Sequence, residues 1–140
     1  MPKISRQFVL CALAYLIAAL AALLLQSVPG LALPEPLGGV VRSLPVHVHL
    51  LTLGWLTQLI FGIAYWMLPV VSRERGRGSP LPMVVAFVAL NVGLPIRVAL
   101  EPTLLPGPPF GVAHYAMGFS ALLLAVAGVA FAVHIVPRVK

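Results

Sequence analysis

Four long apolar runs, separated by short breaks rich in proline, glycine or charge, make up the chain. They cover about residues 8–28, 45–68, 80–99 and 112–136. Each approaches the ~20 apolar residues that an α-helix needs to cross a hydrocarbon core of ~30 Å. The first run is rich in Ala and Leu and closes on Pro29-Gly30. The second opens at Pro45, which a first helical turn tolerates, and stops before Pro69. Ser79 and Pro80 read as the N-cap and first residue of the third, and Pro95 inside it predicts a kink near Asn91. The breaks are a loop at 29–44, the basic stretch SRERGRG at 72–78 and the proline-stiffened EPTLLPGPPFG at 101–111. The pattern predicts an all-α fold, an integral membrane four-helix bundle with four transmembrane helices, as one domain over 1–140. A secretory signal is the competing reading of the first run. Signal apolar regions are shorter, about 7–15 residues, and end on a small-residue cleavage site; this run is longer and has no well-placed site.

Composition supports the same class. The sequence is 61% hydrophobic and 9% charged, against about 25% charged for soluble domains. The net charge of +6 does not point to nucleic acid, because the basic residues sit in short loops and near the ends without interleaved aromatics. Their distribution sets orientation instead. Lys3, Arg6, Arg73, Arg75, Arg77, Arg138 and Lys140 fall on one side, and only Arg42 and Arg97 on the other. The expectation is a plasma (inner) membrane protein of a bacterium or archaeon with both termini cytoplasmic. The three acids are read as lying outside the helices, which leaves no membrane relay of carboxylates. The single cysteine, Cys11, is read as packing.

Candidate chemistry gathers at the start of the second run, HVHLLTLGWLTQLIFGIAYWMLP (47–69). Imidazoles at the mouth of a membrane-length helix are costly unless used. At 100° per residue, His47 and His49 point about 200° apart. His47 shares its face with Gly54, Gln58, Gly62 and Tyr65, a small and polar stripe of the kind that packs against protein. His49 shares its face with Leu53, Leu56, Ile60 and Met67, and is expected to look toward lipid or a neighbouring subunit. His114 lies at the same outer depth, in line with Gly118, Ala121, Ala125, Gly128 and Ala132. His134 is alone near the inner surface, ~30 Å along the helix from His114. A planar cofactor held here would need an axial imidazole, glycines where its ring passes the backbone, and cations for its carboxylates. Arg42 and Arg97, at the outer level, supply the cations.

The second run resembles a ligand-bearing helix of subunit I of the haem–copper oxidases, most closely the cbb-type (C-type) enzymes. The likeness is carried by His47-Val48-His49, Leu53-Gly54-Trp55, Gly62, Tyr65 and Pro69, within residues 47–69 of the 140. It implies that His47 and His49 are axial ligands of two different haems on opposite faces of one helix. It also implies that the chain corresponds to one four-helix arc of the family's threefold-symmetric subunit. The family's copper site and cross-linkable tyrosine have no counterpart, so oxygen reduction by the monomer is not expected. The implied function is haem b binding, for electron transfer or binding of a diatomic gas, in a homo-oligomer with haem at or near protomer interfaces. The lack of a Cys-x-x-Cys-His motif excludes covalent haem attachment there. Two other readings stand beside it. One is a copper or zinc module using His47, His49 and His114 with Met117. The other is a cofactor-free accessory subunit of a respiratory complex.

Overall fold

The computed structural model describes residues 1–70, 78–104 and 111–139. Most of the basic loop, the proline-rich segment at 105–110 and Lys140 lie outside the described residues, and with them the side assigned to Arg73, Arg75, Arg77 and Lys140. The described residues form helices and turns without strands. They comprise α1 (Lys3–Gln26), a short α2 (Leu37–Arg42), a second span of α3 (Leu44–His49), a π-helical segment (Leu50–Thr57) and α4 (Gln58–Met67), then α5 (Leu81–Leu104) and α6 (Val112–Ile135). A 3₁₀ turn at Val136–Arg138 prolongs α6. Among the described residues, four helices are long and apolar enough to cross a membrane. The first three spans have 24 residues each, or about 36 Å of helix.

Several boundaries differ from the sequence expectation. α1 starts at Lys3 rather than near residue 8, directly after Pro2, whose carbonyl accepts from the Arg6 N–H. Lys and Arg are good helix formers, and their long stems let the charge reach water from inside a helix. The loop expected over 29–44 contains α2, which follows Pro36 despite Gly38-Gly39. α5 runs on to Leu104 through both Pro95 and Pro102. Pro102 removes only one bond of the last turn, and the Thr103 hydroxyl donates to the Leu100 carbonyl at 2.7 Å. The extension corrects the reading of the acids: Glu101 lies inside a helix.

α1 lies along the second span, and α5 pairs with α6 over much of its length. Aromatic rings join the two pairs at the end that carries the N-terminus. Phe8 of α1 meets Phe61 of α4 and Phe87 of α5 edge-on, at centroid distances of 6.0 and 5.1 Å. Phe61 stacks on Phe131 of α6 at 3.8 Å. Tyr65, Met83, Ala86, Ala89, Leu90 and Ala127 complete this core. Nearer the middle, Asn91 Nδ2 donates to Gln58 Oε1 at 3.0 Å and to the Phe87 carbonyl at 2.9 Å. Ser120 donates to the Gly93 carbonyl at 2.7 Å. Such bonds between spans satisfy groups that hydrocarbon cannot. A smaller cluster of Ala19, Val46 and Leu50 packs the far end, which also carries His47 and His49.

Candidate functional site

The second span changes its winding directly after the two histidines. Over Leu50–Thr57 it is π-helical, a form found mostly in short stretches and often at functional sites. The Thr57 hydroxyl donates five residues back, to the Thr52 carbonyl, at 2.8 Å. Leu50, Gly54, Gln58 and Gly62, each four apart, are all buried. On an α-helix a step of four overshoots a full turn by about 40°. The wider π turn keeps the first of these positions closer to one line, facing α1.

That line is filled by the chain itself. A Cβ on Gly54 would lie 2.8 Å from Cβ and Cγ of Tyr15, and one on Gly62 would lie 2.8 Å from Cβ of Phe8 and 3.1 Å from the Ser5 carbonyl. Within one chain, both glycines therefore serve the approach of α1.

His47 is 4% exposed. Its Nδ1 lies 2.8 Å from the Ser43 carbonyl oxygen one turn back. A carbonyl only accepts, so Nδ1 carries the proton and Nε2 is left as the basic nitrogen of the neutral ring. Nε2 is enclosed and has no hydrogen-bond partner, a state that costs about 1–3 kcal/mol for a buried polar group.

His49 is half-buried against α5, not turned out to lipid alone. Its Nδ1 donates to Oε2 of Glu101 at 2.8 Å. Arg97, one turn before Glu101 on α5, places Nε 3.6 Å from the other carboxylate oxygen. The acceptor again holds the proton on Nδ1 and offers Nε2. Arg97 and His49, both singled out from the sequence, thus meet through a carboxylate that sequence reasoning passed over. The signal was the spacing of Arg97 and Glu101, four apart as helical ion pairs are. Ending the helix at 99 because of Pro102 concealed it.

The other candidates are dispersed. Arg42 is exposed, with a guanidinium N–H 3.5 Å from the Leu31 carbonyl. It borders a 270 Å³ recess lined by Gly39, Ser43, Leu44, Pro45 and Pro102. His114 is half-buried near the start of α6, with an enclosed and unpartnered Nδ1. α6 packs mainly on α5 and meets the second span through α4, toward the opposite end. Along its small-residue line, Cβ atoms added at Gly118 and Gly128 would meet nothing within 4 Å, so this line faces outward. Among the described residues, no three His, Cys, Asp or Glu side chains are grouped to hold a metal ion. His47, His49 and His114 therefore form no shared site within one chain. His134 is not alone: its ring lies 5.1 Å from that of Tyr65, and Nε2 lies 3.4 Å from Arg138 Nη1.

A scan of protein-family models finds no match, and searches of curated proteins and of solved structures find none. These comparisons do not link the chain to the haem–copper oxidases; the resemblance read from the sequence is confined to residues 47–69.

Proposed function

We propose that this chain is a haem b-binding membrane protein that transfers electrons, with the haem held by the second-span histidines at a contact between protomers. The observation that carries the reading is shared by both imidazoles. Each engages Nδ1 with an oxygen acceptor and leaves Nε2 free, the arrangement that orients a metal-ligating histidine. At His47 the free nitrogen is enclosed and unpartnered.

The donor set fits a haem, but the room within one chain does not. The glycine face below His47 is occupied by Tyr15 and Phe8, so a macrocycle seated there requires α1 to move. His49 is 22% exposed at the edge of the bundle, where a second protomer would complete the enclosure without disturbing the helix pair. Bound haem supplies a one-electron couple. The chain's own residues would orient the imidazole and exclude water, and Arg97, beside His49 through Glu101, would offer a cation to propionates. The orientation that goes with this reading places the histidine end at the outer face and both termini in the cytoplasm.

The filled glycine face also favours a second reading, a cofactor-free accessory bundle in which the glycines serve packing alone. Protein purified from haem-replete cells separates the two. The proposal expects a b-type spectrum and haem that acid acetone extracts. A colourless protein, or one carrying copper or zinc instead, contradicts it.

A further inference from the structure

We propose that the cavity between the end of α1 and α2 binds one anionic phospholipid, with Arg42 on its phosphate and an apolar wall against the upper part of its acyl chains. The cavity holds about 320 Å³, and Leu25, Gln26, Val28, Leu31, Val41 and Arg42 are among the residues that line it. One wall is a tight turn. Pro29 and Gly30 are its central residues, and the Leu31 N–H donates to the Val28 carbonyl at 3.4 Å. Gly30 takes a φ of 72°, as the third residue of a type II turn must. The opposite wall is α2, which packs on α1 and α5 and buries Val41. Arg42 follows Val41 directly and borders the cavity on one side and the 270 Å³ recess beside Pro102 on the other.

Charge, depth and wall chemistry select the occupant. Among the described residues, the one hydrogen bond of the Arg42 guanidinium goes to the Leu31 carbonyl at 3.5 Å, a long and weak contact. Arg97, by contrast, has Glu101 beside it. A planar guanidinium takes a phosphate through two parallel bonds. No described carboxylate lines the cavity. Glu35 lies against α2 instead, its oxygens 3.3 and 3.4 Å from where Cβ atoms on Gly38 and Gly39 would sit. A headgroup ammonium therefore finds no counter-charge, and a phosphate diester with a neutral headgroup such as glycerol fits better than a choline lipid. α1 ends here after 24 residues, about 36 Å of helix against a hydrocarbon core of ~30 Å, so the cavity lies at headgroup depth. Leu25 and Val28 are 37% and 45% exposed on its wall, a surface that favours an amphiphile over free phosphate.

The test is native mass spectrometry of the full-length protein in detergent, titrated with dioleoyl phosphatidylglycerol, dioleoyl phosphatidylcholine or inorganic phosphate. The wild type is expected to hold one phosphatidylglycerol more tightly than phosphatidylcholine. Arg42→Gln should weaken phosphatidylglycerol binding about 10- to 100-fold, the worth of hydrogen bonds to a charged group. Arg42→Lys keeps the charge without the fork and should fall between the two. Arg6→Gln, at the opposite end of α1, should bind as the wild type does. Equal binding of the two lipids, or equal losses in Arg42→Gln and Arg6→Gln, overturns the proposal. So does displacement of the lipid by millimolar inorganic phosphate, which would make this a site for a free anion. Should Arg42→Gln fail to fold, Arg42→Lys decides the matter, and binding as tight as that of the wild type overturns the proposal.

Discussion

The two ends of the bundle are built on different terms. At the N-terminal end, Phe8, Phe61, Phe87 and Phe131 interlock across all four spans. The buried Arg138 lies beside His134, with its guanidinium carbon 5.2 Å from the centre of the Tyr65 ring. At the histidine end a small apolar cluster of Ala19, Val46 and Leu50 is joined by the His49–Glu101–Arg97 contacts, and enclosed nitrogens of His47, His114 and Arg97 lack hydrogen-bond partners, as does the buried Ser5 hydroxyl at the packed end. Aromatic packing holds the helices together at one end. The other carries imidazole nitrogens enclosed without partners, a costly state that in native proteins has a physical cause. Aromatic packing and unpartnered imidazole nitrogens thus lie at opposite ends of the bundle.

The largest expected effect breaks the packed end. Phe8 is fully buried and touches two other rings, so Phe8→Ala should cost about 3–5 kcal/mol. Denaturant unfolding in detergent would show it, and a loss below 1 kcal/mol would place the anchor elsewhere. Next is Gly54, where an added methyl group overlaps Tyr15. Gly54→Ala should cost about 1–3 kcal/mol, and Tyr15→Ala in the same chain should recover part of it.

How far these contrasts were legible in the sequence depends on the residue. The spans are plain from unbroken apolar runs. The pairing of His47 with Gly54, Gln58 and Gly62 on one buried face also follows from spacing. The π segment does not, because α and π windings share nearly the same apolar pattern and differ only in a slow drift of register. Glu101 escaped because Pro102 reads as a helix stop, although a proline near a helix end removes only one bond there. The filling of Gly54 and Gly62 by α1 was not legible either, since a glycine stripe suits a helix and a porphyrin equally.

Smaller effects sharpen the comparison. The Gln58–Asn91 amide pair should be worth about 0.6–1.7 kcal/mol in a double-mutant cycle with leucine. His47→Phe removes the unpartnered nitrogen but also the Nδ1 bond to the Ser43 carbonyl, opposing effects of about 1–3 and 0.5–1.5 kcal/mol, so in haem-free protein it should change stability by less than about 2 kcal/mol. A cost as large as that of Phe8→Ala would make His47 a structural residue. Smallest of all, Gly118→Ala and Gly128→Ala meet open space and should leave the melting temperature of the monomer unchanged.

The claim that the histidine end is a haem site is tested most directly by the reduced-minus-oxidised absorbance spectrum of the purified protein, read for wild type and His49→Ala together. The expected result is a b-type α-band and Soret band in the wild type, and their loss or conversion to a high-spin form in the variant. A featureless wild-type spectrum, or identical haem bands in both proteins, would contradict it.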